Sequence, residues 1–430
     1  MYEEVKGKRL LFLGAIRALC EPVKIAKEME IYTIVIDYLP DSPAKKVADE
    51  AHLISTTDVD AVVEFCKKEK VDGIFTAFID SMLPYAREIC DRLNLPFYAS
   101  KEQIHMSLDK KFFKEVCREY GVSVPKDYKD AITNNDIDVT KVEFPVIVKP
   151  VDSSGGRGVR ICRTKEELHE AYEYALSVSP GKNVLVEEYV VGDEITATYT
   201  MKNGEISLSC FRDKLISEDH ENITSQGDVL VCPSCYLPMY QREINPNVVS
   251  MLKGMKATDG TVFFQGVATK ERIVLFECGY RPNGAHDYRL IEEINGINFM
   301  KMMLYHAVTG EMGCGDLSKD NAEFPEYMLN YNIWLHGGTI SKQFGLEDAL
   351  ALKCVKSAEY MHDVGEKIVD NNTLSQRGFR AVIRSGNIKE VAEAIKSIQN
   401  AVDVLDENGK SMKYKDFDVR RLFERYGENQ

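Results

Sequence analysis

Two short apolar, β-branched runs, residues 144–148 and 159–163, flank the loop Ser153-Ser154-Gly155-Gly156-Arg157-Gly158. The runs predict strands, and the glycines between them predict a loop that lets backbone come close to a ligand. Successive N–H groups in such a loop form an anion-binding nest. Lys149 leaves the first strand one residue before Pro150, so its ammonium reaches the same anion. A bare hairpin turn would need only two or three of these residues. Two other phosphate motifs do not fit. No Gly-Lys-Ser/Thr follows the glycines, and the next element reads as a strand, where P-loops and dinucleotide fingerprints require a helix.

The chain around this loop has 430 residues, which predicts two or three domains. With 44% hydrophobic and 28% charged residues it has a globular composition. No apolar run approaches the roughly 20 residues of a membrane span. A net charge of −14 argues against a nucleic-acid or anionic-membrane surface, while leaving room for a local basic pocket. The acidic start MYEEVKGKRLLFLG is unlike an export signal, and eleven cysteines, an odd number, predict free thiols. Together these predict a cytoplasmic protein.

Residues 1–100 alternate strand and helix patterns: Arg9–Leu13, a helix over 22–29, Tyr32–Ile36, a helix over 58–70 capped by Thr57, a strand over 73–77, and a helix ending at Leu93. Such alternation builds a parallel sheet with covering helices. A helix over 107–120 then carries Asp109-Lys110-Lys111 and stops at Gly121. After the loop, Thr164 to Glu167 reads as a capping box. Further on, a hairpin over 262–277 precedes the phrase Glu277-Cys278-Gly279-Tyr280-Arg281.

Strand, lysine, glycine loop and strand, with an Asp-Lys upstream and a glutamate hairpin downstream, resemble the ATP-grasp superfamily of the carboxylate–amine ligase type. The likeness spans nearly the whole chain and is strongest over 105–310. It implies a multidomain α/β and α+β architecture: a Rossmann-like domain preceding the ATP-grasp unit over 1–104, the ATP-grasp domain over 105–315 with its lid at about 122–190, and a small C-terminal α+β domain over 316–430. In this resemblance the lid folds Ser153, Ser154, Gly155, Gly156 and Gly158 over the phosphates of ATP, with Lys149 and Lys110, or Lys111, reaching them. The backbone at Glu187 and Val190 pairs with the adenine edge. Glu194, seven residues after Glu187, grips the ribose hydroxyls, a sound use of a carboxylate that accepts two O–H bonds. Gln265 and Glu277 are the implied ligands of Mg²⁺, with Mn²⁺ able to substitute. The motif is normally Glu-x-Asn-x-Arg, and Gly279 stands where the Asn belongs, so Asn283 or a water takes the remaining position. Arg281 matches the catalytic arginine at the transferred phosphate or the substrate carboxylate.

Other motifs read more plainly. A basic residue of Arg212-Asp213-Lys214 could meet the γ-phosphate, although such triplets are common on surfaces. Cys232-Pro-Ser-Cys235 has no second ligand pair at zinc spacing. Met300-Lys301-Met302 imitates a biotinylation tripeptide but lies in a helical apolar run. His286 and Asp287 follow Arg281 in a Gly-Ala loop and could touch a substrate, although polar loop residues usually have no catalytic role. The resemblance implies small-molecule carboxylate and amine substrates, with no nucleic-acid or membrane partner, and admits a homodimer. Its alternatives are bicarbonate activation, as in carboxylases and carbamoyl-phosphate-type enzymes, and a nucleotide-binding subunit without turnover.

Overall fold

The computed structural model describes residues 3–133, 136–151, 158–216, 227–313, 315–371 and 373–427. Ser153, Ser154, Gly155 and Gly156 lie outside the described residues. The apolar runs Arg9–Leu13 and Tyr32–Ile36 pair in parallel, flanked by Gly73–Phe75 on one side and Glu50–His52 on the other. Helices Cys20–Glu28, Val59–Glu69 and Leu83–Leu93 accompany this sheet. The strand Glu50–His52 escaped the sequence reading because it is three residues long and lacks a continuous apolar run. Asp58, not Thr57, caps the second helix by accepting from the Ala61 N–H.

The helix predicted over 107–120 is two helices. Ser100 opens Lys101–Leu108 with a capping box, and the Asp109 carboxylate accepts the N–H groups of Lys111 and Phe112 to start Lys110–Glu119. Asp109 is extended (φ −106°, ψ 106°), which breaks the first helix and caps the second.

Beyond them lies a three-stranded antiparallel sheet, ordered Arg160–Cys162, Val146–Pro150 and Val184–Glu188, with helix Lys165–Val178 packed on it. Gly158 ends the loop region with φ +82°, and a Cβ there would meet Val178 and Pro150 at 2.6 and 2.7 Å, so only glycine fits.

The largest sheet has eight strands. Their order is Ile273–Gly279, Gly260–Ala268, Asp193–Lys202, Glu205–Leu215, Val229–Cys232, Tyr327–Trp334, Arg377–Ser385 and Val355–Tyr360. Val229–Cys232 pairs with Glu205–Leu215 on one side and Tyr327–Trp334 on the other, so strands from both sides of residue 316 share one sheet. Helix Phe299–Thr309 packs the first sheet onto the rest: a Cβ on Gly73 would strike the Ala307 carbonyl oxygen at 2.1 Å. Lys301 lies in this helix, paired with Glu292 at 2.7 Å. Among the described residues no helix is long and apolar enough to cross a membrane.

Candidate active site

Lys149 sits on the middle strand of the three-stranded sheet, 7% exposed, with its ammonium turned toward the large sheet. Its Nζ lies 5.7 Å from the centre of the Phe276 ring and feels the charge of Glu277. Burial lowers its pKa to about 8, with Glu277 opposing the shift and Lys110 adding to it. Lys110, on the first turn of its helix, is half-buried and close enough to act on Lys149, whereas Lys111 is exposed. Lysine and glutamate from the two halves of the predicted motif therefore face each other.

Glu187 has a part the sequence did not give it. Its carboxylate is fully buried, with Oε2 2.7 Å from the Lys149 Nζ and Oε1 in contact with the ammonium of Lys114. Lys114, 1% exposed, is a member of the site that the sequence reading missed. The available signal was its i,i+4 spacing from Lys110, which places both on one flank of the helix. Val190 follows the strand half-buried, and among the described residues its N–H donates to no carbonyl.

The hairpin Gly260–Ala268/Ile273–Gly279 carries the candidate metal ligands. Near the turn Ala268 faces Ile273 and Gly266 faces Leu275; then the register slips and Gln265 faces Glu277. Phe276 is the extra residue of this bulge. Because side chains alternate faces, an unbulged hairpin would set Glu277 on the face opposite Gln265; the bulge brings an amide and a carboxylate together. Among the described residues no three His, Cys, Asp or Glu side chains cluster to hold a metal.

Gly279 faces Phe263 across the hairpin, and a Cβ on Gly279 would lie 2.4 Å from the Phe263 ring. Phe263 thus fills the room in which the expected Asn would project, and the Arg281 guanidinium stacks on the same ring at 5.1 Å. Gly279→Asn is therefore expected to overpack the hairpin, costing about 1–3 kcal/mol of stability by thermal or denaturant unfolding, without tightening Mg²⁺ binding. Unchanged stability would show that Phe263 yields its place freely.

Arg281 reaches back to the first sheet's territory. Its Nε donates to Asp80 Oδ1 at 2.6 Å, and Nη2 to the other carboxylate oxygen. Asn283 is buried: its amide donates to Asp287 at 2.6 Å and its carbonyl accepts the Ala285 N–H at 3.0 Å. Asp287, fully buried, also accepts from Thr198 at 2.7 Å and pairs with Arg212 at 3.2 Å. His286 Nδ1 lies 2.7 Å from Glu21, its ring stacks on Phe78 at 5.0 Å, and burial pushes its pKa down to about 4. Asn283, Arg212, His286 and Asp287 are thus tied into the framework behind the hairpin.

Glu194 and Lys214 are cross-strand partners joined at 2.6 Å, with Glu194 about one-third exposed. Asp213 accepts from Ser234 and the Cys235 N–H, and the hydroxyl of Tyr426 reaches it from the helix Arg420–Tyr426. Cys232 lies against Cys210, 2.9 Å between sulfurs, rather than against Cys235, and every described cysteine is a free thiol.

Residues 109–312 match the family model "Carbamoyl-phosphate synthase L chain, ATP binding domain". The chain is 25% identical over 211 residues to the formate-dependent phosphoribosylglycinamide formyltransferase of Methanocaldococcus jannaschii, covering 48% of this chain and 54% of that protein. It thus spans about half the length of that relative. It is 28% identical over 354 residues to the 2-oxoglutarate carboxylase small subunit of Hydrogenobacter thermophilus, covering 76% of this chain and 71% of that one. Among solved structures, the L-amino acid ligase of Bacillus licheniformis superposes with a TM-score of 0.75 at 18% identity, over 94% of this chain and all of that one.

Proposed function

We propose that this chain, a member of the ATP-grasp superfamily, is an ATP-dependent ligase that activates a small carboxylate as an acylphosphate for attack by an amine. The observation that carries the reading is the meeting of Lys149 with the Phe276–Glu277 bulge, a phosphate-seeking ammonium beside the carboxylate and amide of a cation site.

ATP would lie between the small and large sheets. Lys149 and Lys110 would hold the phosphates, together with Ser153, Ser154, Gly155, Gly156 and Gly158 of the loop. Glu187 and Val190 would meet adenine through their backbone, and Glu194 the ribose. Gln265 and Glu277 supply the hard oxygen donors that Mg²⁺ takes, with phosphate and water completing its shell, so the residues fit the metal. Bound there, it would neutralise charge on the transferred phosphate. Asn283, its side chain engaged by Asp287 and Ala285, is the weakest member of the set. Arg281, held by Asp80, would face the substrate carboxylate. Catalysis is then positioning and electrostatics, with no nucleophilic side chain.

Release of ADP measured against panels of acids and amines tests this. The expected result is ADP formation that needs one acid and one amine together. ADP formed with bicarbonate alone would favour the second reading, which draws on the likeness to the carboxylase subunit. Mg-ATP binding without turnover on any pair would leave a nucleotide-binding subunit. The site calls for no nucleic acid, and a cytoplasmic enzyme, alone or as a homodimer, is consistent with the chain's charge and free thiols.

A further inference from the structure

Two buried lysines share one buried carboxylate, and this poses a problem for the site. Lys149 is ion-paired to Glu187 at 2.7 Å, yet a phosphate lysine must be free to meet the nucleotide. Were Lys149 to swing away from a lone Glu187, it would leave a fully buried anion without a countercharge, which is strongly unfavourable. Lys114, from the helix Lys110–Glu119, contacts the other oxygen of the same carboxylate.

We propose that Lys114 is a positioning residue that keeps Glu187 neutralised while Lys149 moves from it to the nucleotide phosphates. The charges around the triad support this. Lys114 is pushed down by burial first and then by the like charge of Lys149, with Arg118 and Lys110 acting the same way and Asp127 opposing. Departure of Lys149 toward phosphate removes the second of these, and Lys114 is then the group left in contact with the Glu187 carboxylate. On the other side, the charge of Glu277 acts on Lys149 from the hairpin. Glu187 is thus a parking place for Lys149 with a second attendant. No adenine contact is asked of Lys114.

The inference rests on the nucleotide reading above, so its test reads binding directly. Affinities for Mg-ATP and for adenosine would be measured on wild type, Lys114→Met, Glu187→Gln and the double variant. Lys114→Met is expected to weaken Mg-ATP roughly tenfold and leave adenosine unchanged, because Lys149 stays locked on Glu187. With Glu187→Gln already present there is no anion to neutralise, and adding Lys114→Met should change Mg-ATP affinity less than about threefold. Lys114→Arg, keeping the charge, should bind as wild type. Equal loss of adenosine and Mg-ATP would mark a merely structural role and overturn the proposal. So would wild-type Mg-ATP binding by Lys114→Met. If Lys114→Met does not fold, the comparison within the Glu187→Gln background decides, and a full tenfold loss there overturns it. Wild type that binds neither ligand refutes the nucleotide reading itself, and this inference with it.

Discussion

Lys149→Ala is expected to weaken Mg-ATP binding by one to two orders of magnitude while the protein stays folded. A charge-assisted contact to phosphate is worth roughly 1.5–3 kcal/mol, and each 1.4 kcal/mol is about tenfold in affinity. Removing a buried lysine usually endangers a fold by stranding its partner. Here Glu187 keeps Lys114, so the thermal midpoint should fall by only a few degrees. Isothermal titration with Mg-ATP and a thermal melt check both halves. Wild-type affinity would remove Lys149 from the phosphate site.

The larger effect is expected at the hairpin. Glu277→Gln exchanges a carboxylate for an amide of equal size, on a strand whose ladder to Gly260–Ala268 is made by backbone. The fold should therefore persist. Opposite it stands Gln265, another neutral amide, and Gly279 offers no side chain, so no neighbouring carboxylate in the motif restores the charge. Electrostatic groups of this kind are worth about 10²-fold or more in turnover. Loss of ADP formation with an unchanged melt, and a Mg²⁺ requirement shifted to higher concentration, is the expected outcome. A variant that remains active with a wild-type Mg²⁺ dependence would move the metal to another carboxylate.

Much of this architecture could be read along the chain because its signals are local. Apolar runs marked Arg9–Leu13, Tyr32–Ile36 and the two strands around the glycine loop, and Asp109 already stood where a helix begins. The misses share a different cause. Thr57 and Asp58 are adjacent residues that can both cap a helix, and it is the Asp58 carboxylate that accepts the Ala61 N–H. Glu50–His52 is defined by its neighbour Tyr32–Ile36 rather than by its own composition. At the site, Gln265 and Glu277 were placed through resemblance. The register near the turn would instead pair Gln265 with Phe276, and nothing local announces the bulge that corrects it. Arg281 was assigned by motif, but its grip by Asp80 joins residues 201 positions apart. Lys114 carried no signal of its own, because its partner Glu187 comes from the distant strand Val184–Glu188.

The strand Val229–Cys232 gives the eight-stranded sheet a seam with a practical meaning. Cut the chain after it, and its outer row of N–H and C=O groups loses Tyr327–Trp334, while that strand loses its own partner in turn. Each piece would present a fresh adhesive edge of mostly buried, apolar strand, the surface on which chains stick to one another. The closing segment therefore cannot be traded between relatives like a cartridge. Changes to it must be made residue by residue, with the sheet left whole.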